Sequence, residues 1–337
     1  MIDLTTGHLS QARKHGEIMK KRNSGERTFA FAVNKWLEKP SEKNGRTKAK
    51  NYAQKGDFFK QLWGSKQIED ISDRDVAKLI AELRAKKNKD TGKPYSESGI
   101  NNYAGVYSAV MKNAVENLKL IQVFPKWKKL QEIERQYYPE PHQIKVLHDE
   151  LMSMGDQNTL RADMVAFCFH TQVRNAIATN LKIEEISHDL SFMAVPAHKM
   201  KNNQPFERPL NAEAKKIVQR NIERGYALQE KYSWLDPIDY VFVQDAGKRD
   251  SIGKPFSKNG LVNKQWRLAR ERAGLPKDFV FHSLRHAGAT FLVREGIDMK
   301  MVSTLLGHAS EKSTWRYRHI STKESQQASE LTSGVSL

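Results

Sequence analysis

Apolar residues recur at three- and four-residue intervals through most of this chain, and that period points to a largely helical architecture. Phe29, Val33 and the Trp36/Leu37 pair mark a first stripe. A second segment, about 48–63, stops at Gly64. A third opens at Ser72, with Asp75 three places on as a capping-box partner, and carries Val76, Leu79, Ile80 and Leu83. A fourth follows Ser96 or Ser98 and sets Ile100, Tyr103, Tyr107, Val110 and Ala114 on one face. Together these predict a four-helix domain over 26–121. Residues 1–25 are polar and basic and read as an N-terminal arm. Residues 122–142 hold Pro125, Pro139 and Pro141 and read as a linker.

A second domain is predicted over 143–323, followed by a Ser/Gln/Glu-rich tail at 324–337. It opens with a helix at about 143–154, and 160–183 reads as two more. The best strand candidates are 186–196 and 204–210, on either side of the polar turn 198–203. Further helices are predicted at about 211–224, 257–273, 282–295, 298–306 and 312–319. The expected class is therefore mainly α with a small β-sheet (α+β), in two domains, as a length of 337 residues suggests.

The net charge is +17. Residues 1–140 hold 28 basic and 17 acidic side chains, and residues 141–337 hold 28 and 22, so the excess is greatest in the first part. A polyanion is the natural partner of such a surface, since each phosphate contact releases counterions. Lys86, Lys87 and Lys89 in one loop, and Lys126, Lys128 and Lys129 in the linker, are candidate DNA-backbone contacts. Their plainer reading is a solvated charged face. The one cysteine, Cys168, cannot form an internal disulfide; it reads as a small buried hydrophobe and suits a reducing cytoplasm. No apolar run reaches the roughly 18 residues of a membrane-spanning helix, and no signal-peptide pattern is present.

The stretches that carry chemistry lie mostly near the C-terminus. They are His282-Ser283-Leu284-Arg285-His286, then Leu306-Gly307-His308, then Tyr317 nine residues on. Upstream stand Thr171-Gln172-Val173-Arg174, and Lys199-Met200-Lys201 in the predicted hairpin turn. Such residue types suit attack on a phosphodiester. Arginine stays protonated and binds two phosphate oxygens at once as negative charge develops. Histidine donates or accepts a proton near neutral pH. Lysine can protonate a departing oxygen, and a tyrosine hydroxyl can attack phosphorus and hold it as an ester. There is no His-Glu-x-x-His pattern, carboxylate cluster or Cys/His set, so no metal and no cofactor is expected.

These boxes resemble those of the tyrosine recombinase family, the phage integrases and their Xer-like relatives. The second-arginine box of that family, His-x-Leu-Arg-His, matches 282–286. Its Leu-Gly-His box matches 306–308, and its Thr-x-x-Tyr-x-His context matches Thr314, Tyr317 and His319. Arg174 is followed by Leu181 and by Glu185-Ile186, as the first-arginine box requires. Two positions depart from the pattern. Gln172 replaces a usual glycine, and Ile177 stands where the family usually has a glutamate that buttresses the site.

The resemblance implies a helical core-binding domain and a catalytic domain forming a C-shaped clamp on double-stranded DNA. It implies that Tyr317 attacks the scissile phosphate, leaving a 3′-phosphotyrosine and a free 5′-hydroxyl. Arg174, Arg285 and His308 would hold the phosphate oxygens. His282 would assist proton transfer at the tyrosine. Lys201 would protonate the leaving oxygen, with Lys199 as the alternative. His286 and His319 are read as structural. Four protomers would act on two duplexes through a Holliday junction, from a free state that is a monomer or weak oligomer, with DNA-bending proteins as accessory partners. The role implied is the integrase of a phage or other mobile element. An Xer-like resolvase of chromosome or plasmid dimers stands beside it, since residues 1–25 are too short for a full arm-binding domain. A catalytically silent DNA-binding relative is the third reading.

Overall fold

Phe29, the first aromatic of the chain, is fully buried in the core of the first of two compact units, 1–135 and 136–337. The computed structural model describes residues 25–38, 46–87, 92, 94–132, 139–200, 203–256 and 260–307. The first unit holds α1 (Phe29–Leu37), α2 (Arg46–Trp63), α3 (Asp73–Ala85) and α4 (Glu97–Glu116). Each start that the sequence marks with a polar cap is capped. Thr28 accepts from the Phe31 amide, Ser96 from Gly99, and Ser72 and Asp75 form the reciprocal capping box. The buried faces meet in an aromatic core. Phe29 lies edge-on to Trp63 at 5.7 Å, and Tyr107 sits 5.8 Å from Trp127.

Part of the stretch read as a linker belongs to this core. Trp127 is only 5% exposed, and the Tyr107 hydroxyl donates to the Pro125 carbonyl at 2.9 Å. Asn101 and Leu130 exchange two hydrogen bonds, of 2.9 and 2.8 Å. Residues 122–132 are thus fastened to α4 by a buried aromatic and paired backbone groups. Prolines alone gave no sign of that.

The second unit holds α5 (Pro141–Ser153), α6 (Thr159–Thr171), α7 (Asn175–Thr179), β1 (Phe192–Val195), β2 (Phe206–Pro209), α8 (Ala212–Lys231), α9 (Lys264–Arg272), α10 (Ser283–Arg294) and α11 (Met299–Leu306). Helix α6 is buried on nearly every side and packs against α5, α8 and α10. Cys168 lies in it, 2% exposed, its thiol pushed up to about 12 by burial. The carboxylate of Asp163, fully buried on the same helix, is held by Arg220 and by the Asn221 amide at 2.8 Å.

Strands β1 and β2 pair antiparallel, with Met193 opposite Arg208 and Val195 opposite Phe206. Both strands are shorter than their sequence patterns predict. Helix α8 runs seven residues past its predicted end at 224, through Gly225, which lies against Ile238. Helix α9 starts at Lys264 rather than 257, because Asn263 caps it by accepting from the Trp266 amide. The helix predicted at 312–319 lies outside the described residues. Among those described, no helix is long and apolar enough to cross a membrane.

Candidate active site

Arg285 is the most deeply buried of the predicted site residues that the structure describes. It sits in the first turn of α10 and is only 4% exposed. Its two terminal nitrogens point in different directions. Nη1 donates to the Gln172 carbonyl at 2.6 Å, and Nη2 donates to the Leu306 carbonyl at 2.6 Å. One guanidinium thus ties together the first-arginine box, the second-arginine box and the Leu-Gly-His box, which lie 113 and 21 residues apart in the chain.

Close backbone packing sets this geometry. Gly288, one turn beyond Arg285, presses α10 onto the end of α6. A Cβ there would fall 2.4 Å from the Phe169 carbonyl oxygen and 2.8 Å from the Gln172 side chain. Gly307 ends α11 in the left-handed region, at φ 59°. A Cβ on it would lie 3.0 Å from the Phe206 ring and 3.2 Å from the Met200 side chain. The glycine of the third box therefore rests directly on the hairpin.

Arg174 occupies the residue just before α7, two places past the carbonyl that Arg285 grips. It is half-buried, and burial lowers its pKa. No carboxylate pairs with it among the described residues. A partly desolvated guanidinium of this kind favours an incoming anion. His282 stands at the residue before α10, three places before Arg285, exposed, with its ring 5.0 Å from that of His286 and edge-on to it.

Lys199 is engaged elsewhere. Its ammonium lies 2.6 Å from the buried Glu185 carboxylate and donates to the Asn180 carbonyl at 2.7 Å. Lys201, His308 and Tyr317 lie outside the described residues, as does Lys89. Lys86, Lys87, Lys126, Lys128 and Lys129 all belong to the first unit and are exposed. The Lys86 ammonium lies 5.3 Å from the Phe58 ring, and Lys126 and Lys128 flank the buried Trp127.

The two departures from the family pattern take definite places. Ile177 is 5% exposed and joins the main core. Gln172 caps α6 in the left-handed region, at φ 50°, where a glycine would carry no penalty. Its amide nitrogen donates to the Phe169 and His170 carbonyls, and its side-chain oxygen accepts from Arg208. Arg208 did not stand out in the sequence. The signal was its phase: residues 206, 208 and 210 share one face of a strand, and Phe206 and Leu210 are apolar.

Comparison with known proteins gives consistent matches. The model of the family described as the phage integrase family matches residues 140–324, more than half of the chain. The integrase of Salmonella phage P22 is 24% identical over 315 residues, covering 87% of this chain and 76% of that protein. The tyrosine recombinase XerC of Anoxybacillus flavithermus is 27% identical over 271 residues, covering 79% and 84%. Among solved structures, the Tn1549 transposon integrase in complex with transposon right-end DNA shares the fold with a TM-score of 0.67. It has 18% identity and covers 90% of this chain and 98% of that one. A lambda integrase tetramer bound to a Holliday junction gives 0.63 at 16% identity, covering 86% and 77%.

Proposed function

The chain belongs to the phage integrase family, and from that membership we propose that it is the integrase of a phage or other mobile element. It is a tyrosine recombinase, a site-specific enzyme that cuts and rejoins DNA. Its partner is DNA, on which it works as an oligomer. The likeness to the P22 integrase over 87% of the chain favours the integrase role. The likeness to XerC over 79% is what supports the second reading, a resolvase.

In the proposed reaction the Tyr317 oxygen attacks the scissile phosphorus. A phosphotyrosine bond forms at the 3′ side as the bond to the 5′-oxygen breaks. Lys201 gives that oxygen its proton; Lys199, committed to Glu185, is the weaker candidate. His282 assists removal of the tyrosine proton. Arg174, Arg285 and His308 bind the non-bridging oxygens while charge accumulates on them. The ester keeps the energy of the broken bond, so the 5′-hydroxyl of a partner duplex reverses the step without ATP. The first unit serves as the core-binding half, with Lys86, Lys87, Lys89, Lys126, Lys128 and Lys129 on the DNA backbone. Four protomers exchange strands in the cytoplasm through a Holliday junction.

The observation that supports this reading most is the Arg285 guanidinium, bonded at once to the carbonyls of Gln172, two residues before Arg174, and Leu306, two residues before His308 in the sequence. A nicked suicide duplex bearing the element's own attachment site tests it. The wild-type chain is expected to form a covalent protein–DNA adduct that resists EDTA, and Tyr317→Phe none. An undiminished adduct from Tyr317→Phe would refute the assigned nucleophile. No adduct from the wild-type chain on DNA that it binds would favour the silent relative.

A further inference from the structure

Resting on the recombinase reading, we infer that Arg208 is a positioning residue of the active site, acting as one device with Gln172. Arg208 takes the core-facing place on β2, opposite Met193, and is 5% exposed. An arginine buried this far is costly unless its charge is met. Among the described residues no carboxylate meets it. Two oxygens do. One guanidinium nitrogen donates to the Gln172 side-chain oxygen, and the other donates to the Leu305 carbonyl at 3.0 Å. Burial brings its pKa down to about 10, so it stays charged at neutral pH.

The arrangement doubles the grip of Arg285. Arg285 spans the Gln172 backbone carbonyl and the Leu306 carbonyl. Arg208 spans the Gln172 side chain and the adjacent Leu305 carbonyl. Both cations thus hold the same residue to the last turn of α11, whose carbonyls form the negative end of that helix. The turn leads straight into Gly307 and His308. Gln172 accepts the strain of a left-handed backbone that glycine would not feel, and Ile177 offers no charge beneath the site. The Gln172–Arg208 pair supplies a polar brace where the family's glycine and glutamate are absent. At 5% exposure Arg208 acts through its neighbours and not on the DNA phosphate.

The test uses the full chain with Arg208→Met, Arg208→Lys, Gln172→Gly and the double variant Gln172→Gly/Arg208→Met. Binding to site DNA and single-turnover adduct formation are measured separately. Arg208→Met is expected to bind DNA within about twofold of wild type. Its adduct rate should fall about 10²-fold, the cost of displacing a reacting group by about 1 Å. Arg208→Lys should not restore the rate, because one ammonium lacks the fork that spans two acceptors. Gln172→Gly should lose a similar factor, and the double variant about the same factor rather than the product. If Arg208→Met loses its cooperative melt, Arg208→Lys, which keeps the buried charge, carries the same expectation for binding and rate. Wild-type adduct rates in the Arg208 variants, a loss explained by weaker DNA binding, or a multiplicative double variant would overturn the inference. An inactive wild-type chain would instead refute the recombinase reading on which it rests.

Discussion

At the scale of single residues, the site depends on approaches that only some side chains permit. Gly288 is the sharpest case. Its missing Cβ lets α10 lie against the Phe169 carbonyl, and that contact sets where Arg285 starts its reach to Gln172. Gly288→Ala is therefore expected to cost about 1–3 kcal/mol, as other overpacked cores do. It should also lower the rate of DNA cleavage, because the helix must move bodily. Thermal melting and single-turnover cleavage check this, and a variant that melts and cleaves as wild type would show the packing to be looser than described. The sequence proposes Arg285 and His282 for the site because a short motif carries them. It marks Gln172 only as a departure from that pattern and gives Arg208 no role. A glutamine in a left-handed cap runs against its own backbone preference, and an arginine in a strand normally reads as solvent-facing. Only the tertiary contact between the two makes both intelligible.

At the scale of elements, local chemistry decided most of the fold. The box at the start of α3 is the clearest example. Ser72 accepts from the Asp75 amide, and the Asp75 carboxylate accepts from the Ser72 amide at 2.8 Å and from the Lys66 ammonium at 2.7 Å. Ser72→Ala should destabilise the protein by about 1 kcal/mol. The hydrogen bond from Lys66, followed by those from Ser72, holds the Asp75 carboxyl well below the usual carboxylate range. A folded-state pKa below the unfolded one gives stability that is whole above about pH 4 and is lost as the pH falls further. Asp75→Asn should flatten that part of the stability–pH curve, and denaturant melts from pH 6 to 2.5 measure it. An unchanged slope would mean that the carboxylate contributes nothing in the folded state. Periodicity and caps revealed the helices, since both are local. The end of α8 and the start of α9 were misjudged where packing and a stronger cap overrode Gly225 and the polar run before Asn263. The fastening of Trp127 under α4 depends on a partner 20 residues away, which no local pattern announces.

At the scale of the whole molecule, the chain is two compact units with a charge of +17, and the second carries the family's motifs. Four short boxes in the right order named the fold class and the chemistry in advance, because a phosphoryl-transfer site needs particular side chains at particular places. What they did not reveal was how the described parts of the two arginine boxes and the Leu-Gly-His box are held together. That is done by backbone carbonyls at 172, 305 and 306, which have no signature in a sequence. In the proposed reaction everything turns on the phenol oxygen of Tyr317 becoming the DNA-linked atom. The adduct trapped on a suicide duplex can be digested with protease and nuclease and the nucleotide-bearing peptide sequenced by mass spectrometry. A nucleotide joined through phosphate to Tyr317 is the predicted result; the same mass on any other side chain would contradict it.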